Sequence, residues 1–334
     1  MKRVVWFVCV GLVAVPSLSA QEPKLRATLE GHAYPVFCVA FSPDGKTLAS
    51  ASGDGTLRLW DLATGRNIAT FPQRPAPFSM TFSPDGKTLA LGSSRIRTVS
   101  GSDGAKVSDD SLHSIDLWDV AAGKPIAVLD GHRYWVKSLA FSPDGKTIAS
   151  GGFDCTVRLW SVAERKNVAI LKEHLSVVTS VSFSPDGKTI ASGGFDCTVR
   201  LWDVATRKNT ATLDGRAGEI SSVAFSPDGK TVASANANHT ITLWDVPSGK
   251  SIAALKGHTG AVSSVAFSPD RKTLASTSRD GTIMFWDVAS RKNTATLRRT
   301  GSSTDVSYSP DGKTLASSST YGDKTIKLWD VGKK

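Results

Sequence analysis

The stretch FSPDGKTIASGGFDCTVRLW occupies residues Phe141 to Trp160 and occurs again, unchanged, as residues Phe183 to Trp202. In each copy Pro-Asp-Gly favours a tight turn, because proline restricts φ and glycine permits positive φ. The residues after that turn alternate between apolar and small or polar, and a run rich in β-branched residues then ends in tryptophan. The pattern predicts antiparallel strands joined by short turns.

The motif Ser-Pro-Asp-Gly-Lys marks seven repeats along the chain. It begins at Ser42, Ser83, Ser142, Ser184, Ser226 and Ser309, with the variant Ser-Pro-Asp-Arg-Lys at Ser268. Each copy precedes a tryptophan, at Trp60, Trp118, Trp160, Trp202, Trp244, Trp286 and Trp329. A period of about 42 residues, with strand patterns throughout and no sustained 3.6-residue periodicity after the first twenty residues, predicts an all-β repeat protein.

The two ends of the repeat array decide between an open stack and a closed ring. The fourth strand of the third repeat is Ala169-Ile170-Leu171, and a similar segment, Ala27-Thr28-Leu29, precedes the first repeat. The seventh repeat has no such strand after Trp329. We therefore expect the N-terminal strand to complete the seventh sheet and to remove its exposed edge. This predicts a seven-bladed β-propeller of four-stranded antiparallel sheets over residues 25–334, after a short linker at 21–24.

The repeats resemble the WD-repeat family, whose pattern is Gly-His, a hairpin, Asp in a tight turn, and Trp-Asp. The resemblance covers nearly all of residues 25–334 and is fullest in four repeats. It implies that each of these repeats holds a buried hydrogen-bond network of His, Ser, Asp and Trp. The four sets are His32, Ser50, Asp54 and Trp60; His132, Ser150, Asp154 and Trp160; His174, Ser192, Asp196 and Trp202; and His258, Ser276, Asp280 and Trp286. The departures are Gln73, Arg216 and Arg299 at the histidine position, and Leu112 and Asn238 at the turn position.

The Ser, His and Asp sets could also be taken for hydrolase triads. Nucleophilic catalysis needs an accessible serine and an oxyanion hole, and an enzyme rarely needs four such sites. The recurrent Gly-Lys-Thr lacks the earlier glycine of a phosphate-binding loop, and no His-x-x-x-His or Cys-x-x-Cys pair suggests a metal. We predict no catalytic residues, no metal and no cofactor.

The first twenty residues have the layout of a signal peptide. Lys2 and Arg3 precede an uncharged stretch at 4–15, which is followed by small residues up to Ala20. The stretch is shorter than the roughly 20 residues that span a bilayer. We predict a bacterial protein exported to the periplasm or beyond the cell, cleaved after Ser19 or Ala20, with an uncleaved anchor as the alternative.

Composition narrows the class of partner. Without Lys2 and Arg3 the formal net charge falls from +10 to +8, which favours anionic partners weakly and is also ordinary for a soluble protein. Export makes nucleic acid an unexpected partner. Cys38, Cys155 and Cys197 are an odd number after cleavage, so a disulfide framework is not expected, and we expect a monomer.

Two repeats place large apolar residues where the others carry small ones. In the family these positions, before the turn aspartate and after Gly-His, face outward on one side of the ring. Exposed aromatic side chains make good binding anchors. The predicted partner-binding residues are Arg133, Tyr134, Trp135, Phe153, Leu175 and Phe195. The alternatives are that duplication copied one phenylalanine and that Trp135 packs inward between blades.

The second repeat is longer than the others, with an insertion at about residues 93–111. Its Ser, Gly and charged residues favour disorder, and Arg95-Ile96-Arg97 could form a mobile contact arm. Together these features predict a non-catalytic scaffold for protein–protein interaction outside the cytoplasm. The alternative is a protein that binds carbohydrate or an anionic envelope surface through the lysines and arginines of its turns.

Overall fold

The structure is a computed structural model that describes residues 22–72, 77–100, 106–214, 218–299, 301, 303–319 and 323–332. Within these ranges the chain forms 28 β-strands and no α-helix. No helix in the described part of the chain is therefore long and apolar enough to cross a membrane. The predicted signal peptide, residues 1–20, lies outside the described residues.

The strands form seven antiparallel sheets of four strands each, which are the blades. Strand β1 is Lys24–Leu29, and blade one contains β2 (Val36–Phe41), β3 (Thr47–Ser52), β4 (Thr56–Asp61) and β5 (Asn67–Pro72). Blade two contains β6 (Met80–Phe82), β7 (Thr88–Ser100), β8 (Lys106–Asp119) and β9 (Lys124–His132). Blade three contains β10 (Val136–Phe141), β11 (Thr147–Gly152), β12 (Val157–Ser161) and β13 (Lys166–Leu171). Blade four contains β14 (Val178–Phe183), β15 (Thr189–Gly194), β16 (Thr198–Asp203) and β17 (Lys208–Asp214).

Blade five contains β18 (Ile220–Phe225), β19 (Thr231–Asn236), β20 (Thr240–Asp245) and β21 (Lys250–Lys256). Blade six contains β22 (Val262–Phe267), β23 (Thr273–Ser278), β24 (Thr282–Asp287) and β25 (Asn293–Arg298). Blade seven contains β26 (Ser303–Tyr308), β27 (Thr314–Ser319) and β28 (Ile326–Asp330), and β1 is its fourth strand. In blades one to six the strands lie side by side in chain order, and in blade seven the order is β26, β27, β28 and then β1. The first strands of neighbouring blades contact one another, so the first strand of each blade is innermost.

Strand β1 closes the ring by pairing antiparallel with β28, with Leu29 opposite Ile326 and Lys24 opposite Asp330. Leu29 is buried with Val39 of blade one and Leu328 of blade seven. The N-terminal strand therefore belongs to the last blade and packs against the first. The predicted seven-bladed β-propeller, closed by the N-terminal strand, is confirmed.

The apolar core lies between neighbouring blades. Ile190 and Trp202 of blade four, for example, are buried against Ala149 and Leu159 of blade three. Because each sheet has two apolar faces, every blade needs a neighbour on both sides to remove those faces from water.

Hydrogen bonds also join the innermost strands from blade to blade. A serine Oγ of one blade accepts a hydrogen bond from a main-chain N–H of the next. The pairs are Ser79 with Leu139, Ser138 with Val181, Ser180 with Val223, each at 3.0 Å, and Ser222 with Val265 at 3.4 Å. Between blades seven and one the acceptor is a carboxylate, because Asp305 Oδ2 accepts from the Val39 N–H at 3.1 Å.

The Ser-Pro-Asp-Gly-Lys turns form a second ring of contacts at one end of the propeller. Gly187 of blade four has φ of +71°, and a Cβ there would lie 3.4 Å from Cδ of Pro143 in blade three. The same arrangement places Gly45 of blade one against Pro310 of blade seven. Glycine thus provides both the left-handed turn and the close approach of the neighbouring proline.

The insertion in blade two differs from the expected disorder. Strands β7 and β8 continue into it as an antiparallel pair, with Thr98 opposite Ser108 and Ser100 opposite Lys106. The added residues therefore lengthen two strands that the blade already contains. The contact arm at residues 95–97 stays a hypothesis.

Arg271 occupies the glycine position of the sixth turn and keeps a φ of +68°. A left-handed conformation costs a residue with a Cβ about 1–2 kcal/mol, whereas glycine loses about 0.5–1 kcal/mol more backbone entropy on folding. Its ion pair with Asp228 is exposed and 3.8 Å long, so it contributes little. We therefore expect Arg271→Gly to raise the free energy of unfolding by about 0.5–1 kcal/mol, measured by urea denaturation. Gly229→Arg, at the matching position of blade five, should lower it, and a destabilised Arg271→Gly would contradict the argument.

Candidate functional site

The repeated network has the same geometry in blades one, three, four and six. In blade one His32 Nδ1 lies 2.9 Å from Asp54 Oδ2, and His32 Nε2 lies 2.8 Å from Ser50 Oγ. The Trp60 Nε1–H donates to the same Ser50 Oγ at 2.8 Å. The corresponding distances in the other three blades lie between 2.6 and 3.1 Å. Each network therefore connects the third strand of a blade to the turn that enters it.

The direction of these hydrogen bonds decides what Ser50 can do. Its oxygen accepts from Trp60, so its single proton is available to His32 Nε2, which leaves Nδ1–H to donate to Asp54. Ser50 is fully buried. A nucleophilic serine must reach its substrate, so this arrangement supports the structural role rather than catalysis.

Burial and hydrogen bonding shift the pKa values of the network in opposite senses. Burial lowers the pKa of His32, and the hydrogen bond to Asp54 offsets this only in part. Burial would raise the pKa of Asp54, but hydrogen bonds from Thr56, from the Ala33 N–H and from His32 outweigh it and lower the pKa to about 2. The pair is therefore a neutral imidazole beside a carboxylate at neutral pH.

Blade seven builds the network with a guanidinium in place of the imidazole. Arg299 Nη1 donates to Ser317 Oγ at 2.8 Å, and Arg299 Nη2 donates to Asp323 Oδ1 at 2.8 Å. The Trp329 Nε1–H again donates to Ser317 Oγ, at 2.9 Å. The sequence marked Arg299 as a departure, yet it occupies the histidine's place and bridges the same two partners.

Blade five provides hydrogen-bond partners for its serine and tryptophan without a histidine or a turn aspartate. The hydroxyl of Ser234 donates to Asn236 Oδ1 at 3.0 Å and accepts from Trp244 Nε1 at 3.0 Å. Asn236 is fully buried and donates in turn to Thr242 at 2.9 Å. An amide therefore accepts the proton that histidine accepts elsewhere.

Four aromatic side chains, which we call the aromatic row, cross blades one, two and three. Phe37 stacks on Phe78 at a centroid distance of 5.4 Å, and Phe78 stacks on Trp135 at 5.1 Å. Trp135 meets Phe153 edge to face at 5.8 Å. Trp135 is 44% exposed and Phe153 is 39% exposed. The Phe153 N–H donates to the Trp135 carbonyl at 2.9 Å, which joins the two loops behind the rings.

Two members of the aromatic row, Phe37 and Phe78, were not among the predicted residues. Both stand two residues before a buried core residue of the inner strand, at a position where blades five and six carry Ser221 and Ser263. The sequence signal for both is a large apolar residue at a position that is small in other repeats, which lies outside the two turns that carry the predicted residues.

The other predicted partner-binding residues lie at the surface around or beside the aromatic row. Tyr134 is 59% exposed, with its ring 6.5 Å from that of His113 in blade two. Arg133 is exposed, and its N–H donates to Asp154 at 3.1 Å. Leu175 and Phe195 are exposed on blade four, but among the described residues no ring contact joins Phe195 to the row. Trp135 contacts a neighbouring blade and still presents much of its surface to solvent.

Across the described ranges, no group of three or more His, Cys, Asp or Glu side chains could hold a metal ion. Cys38 is buried, Cys155 and Cys197 are partly exposed, and all three are free thiols.

The fold and the repeated network define a β-propeller built from WD-type blades. Residues 23–61 and 291–330 match the family described as "WD domain, G-beta repeat", and residues 136–301 match the "Echinoderm microtubule-associated protein second beta-propeller". These matches and the relatives below support membership of the chain in the WD40-repeat β-propeller family.

Several curated proteins are similar to parts of the chain. A nuclear distribution protein PAC1 from Coccidioides posadasii is 30% identical over 166 residues, which is 39% of this chain and 35% of that protein. The guanine nucleotide-binding protein subunit beta-5b of Danio rerio is 31% identical over 36% of this chain and 27% of its own. A Notchless protein homolog from Arabidopsis thaliana is 63% identical over 41 residues, 12% of this chain and 9% of its own. The chain thus matches about a third or less of the length of these relatives.

The network predicts a loss of stability in acid. Burial lowers the pKa of His32, His132 and His258, so unfolded chains bind more protons than folded ones below about pH 6.5, and stability should fall there. A second loss should follow from about pH 4 towards pH 2, because the pKa values of Asp54 and Asp280 are lowered to about 2. Urea denaturation between pH 8 and pH 4 measures the first loss.

The control for this prediction uses a histidine outside the network. His258→Gln should make the loss of stability between pH 7 and pH 5 shallower, whereas His239→Gln changes an exposed side chain that no network contains. A stability that does not change between pH 8 and pH 5 would contradict the assignment of neutral, buried network histidines.

Proposed function

We propose that this chain is a non-catalytic platform that binds another protein outside the cytoplasm, and that the aromatic row is the centre of its binding surface. The observation that carries the proposal is the contact of four aromatic rings across three blades, with Trp135 and Phe153 substantially exposed. Large, rigid aromatic side chains bury much area at little cost in conformational entropy, so they are frequent binding hot spots.

Comparison of the blades supports a function for these residues beyond folding. The position of Phe153 is Gly53 in blade one, and both blades complete the same four-residue network. A blade therefore folds without a phenylalanine there. An exposed apolar group that the core does not require is explained by a partner that covers it.

The relatives support the class of function. WD40-repeat propellers are generally scaffolds for protein interaction, and one relative is by name a subunit of a guanine nucleotide-binding protein. The inaccessible serines of the networks are consistent with a non-catalytic protein. An anionic glycan is the second candidate partner, but the exposed lysine of each Ser-Pro-Asp-Gly-Lys turn stands two residues from an aspartate, so these turns add little net positive charge.

Single substitutions test the protein-binding surface. We expect Phe153→Ser to weaken retention of a crosslinked or co-purified partner by about 2 kcal/mol, or roughly 30-fold, because a hot-spot ring is lost. Folding should change little, because Phe153 is not a core residue. Affinity is measured by titration of the partner identified by mass spectrometry from the exported fraction.

Phe195→Ser is the matched variant, because Phe195 has the same turn sequence and is 40% exposed against 39% for Phe153. A smaller loss with Phe195→Ser would centre the site on the aromatic row, and an equal loss would extend it into blade four. If the partner binds Phe153→Ser as tightly as the parent chain, the site is not at the aromatic row. Retention of anionic glycan that both variants share would favour the second candidate.

Export is tested separately, because it rests on residues 1–20 alone. Expressed in a bacterium, the chain should leave the cytoplasm and begin at Ala20 or Gln21 by N-terminal sequencing. Leu12→Arg places a charge in the apolar stretch and should keep the full-length chain inside the cell. Cytoplasmic full-length parent protein would contradict the proposed location.

A further inference from the structure

The inner strands carry a β-bulge at the end nearest the aromatic row. The pairing register skips one residue between Val36 and Cys38 in blade one, and between Val136 and Ser138 in blade three. A bulge redirects the side chain of the skipped residue away from the regular faces of the sheet. Because these strands are innermost, the skipped residues surround the mouth of the central channel. They are Phe37, Lys137, Thr179, Ser221 and Ser263, and Phe78 occupies the matching place in blade two.

The residues at the channel mouth are therefore aromatic on one side and polar on the other. Phe37 and Phe78 stand there on blades one and two, and Ser221 and Ser263 on blades five and six, whereas the Thr179 hydroxyl is buried and donates to the carbonyls of Gly193 and Ile220. Lys137 stands between the two sides. Its Nζ lies 5.1 Å from the centroid of the Phe78 ring. The one positive charge of this ring of residues thus lies next to the aromatic row.

The ammonium of Lys137 has unused hydrogen-bonding capacity. Burial lowers its pKa, and the nearby Asp305 carboxyl of blade seven opposes that shift. Within the described residues it makes no hydrogen bond and no ion pair. Lys137 is half-buried, and a carboxylate supplied by a ligand would accept a charge-assisted hydrogen bond from its Nζ.

The nearby acid does not supply that acceptor. Asp305 Oδ2 accepts from the Val39 N–H at 3.1 Å, and Oδ1 accepts from the Val306 N–H at 2.9 Å and from Ser264 Oγ at 3.2 Å. Its carboxylate is therefore held by three donors on blades one, six and seven. Burial raises the pKa of Asp305, and these three hydrogen bonds and the nearby Lys137 oppose that shift.

We propose that Lys137 binds an aspartate or glutamate side chain of the partner, carried on a peptide segment whose neighbouring apolar residue packs on Trp135 and Phe153. This inference rests on the proposed function, since it describes the part of a protein partner that meets the aromatic row. The carboxylate accepts hydrogen bonds from the Lys137 Nζ, and the aromatic row supplies the apolar surface beside it.

The test is a selection from a random peptide library, N-acetylated and amidated at the C-terminus so that side chains are the only carboxylates. The parent chain should enrich peptides that contain Asp or Glu next to an aromatic or aliphatic residue. Lys137→Met keeps the aliphatic stem and should lose the acidic preference. For a selected peptide the dissociation constant should rise roughly tenfold to a hundredfold.

A double-mutant cycle isolates the contact. Changing the acidic residue of the selected peptide to its amide should weaken binding to the parent chain by a similar factor and should have little further effect on Lys137→Met. Lys137→Arg keeps the charge and should keep the acidic preference. Lys324→Met is the control, because the Lys324 Nζ also lies near an aromatic ring on this face, 5.7 Å from the Tyr34 centroid.

The outcomes separate this inference from the proposed function. Peptides enriched for apolar residues alone, or an acidic preference that Lys137→Met retains while its melting temperature matches the parent, would overturn the role of Lys137. A free-acid library that binds where the amidated library does not would overturn the side-chain assignment in favour of a chain terminus. If no peptide is enriched, or if Phe153→Ser binds the selected peptides unchanged, the proposed function fails as well.

Discussion

Burial of both faces of every sheet between two neighbours is the constraint on which the rest of this structure depends. A blade with one free face would expose residues such as Val36 and Leu48, which are fully buried in the ring. Strand β1 is indispensable for this reason, because it completes blade seven beside blade one. Where the ring closes, Asp305 takes the place of the serine that other blades use and accepts a hydrogen bond from the Val39 N–H at 3.1 Å.

The buried network shows how one requirement is met by different side chains. In every blade except blade two, a serine hydroxyl accepts a hydrogen bond from the Nε1–H of the blade tryptophan. That serine then needs a partner for its own proton or oxygen. Histidine, Arg299 and Asn236 each fill that last place, although Arg299 donates whereas Asn236 accepts. The serine can satisfy both because a hydroxyl is donor and acceptor at once. The geometry of strand and turn is therefore maintained while the chemistry of the third residue varies.

The sequence predicts those features of the structure that depend on residues close together in the chain. The blades, their number and the closing strand depend on patterns within about 42 residues, and those patterns repeat, so each copy supports the others. The role of Arg299 depends on a side chain that reaches Asp323 across a loop, and one departure in one repeat carries no such support. The paired insertion also escaped prediction, because composition favoured disorder while the hairpin that it extends was already in place. The aromatic row was half predicted, since Trp135 and Phe153 stand beside motif residues whereas Phe37 and Phe78 join them only through contacts between blades.

The places where the blades differ most lie where the fold demands least. Core positions such as Ala149, Ala191 and Ala233 are alanine in three successive blades, because a larger side chain would not fit between the packed sheets. At the bulge positions of the inner strands the chain carries phenylalanine, lysine, threonine or serine without change to strand pairing. Residues that differ between blades without affecting the packing can serve to bind a partner. Under the proposed function, the adjacency of Lys137 to Phe78, and of Phe78 to Trp135, places a positive charge beside the apolar surface that a partner would cover.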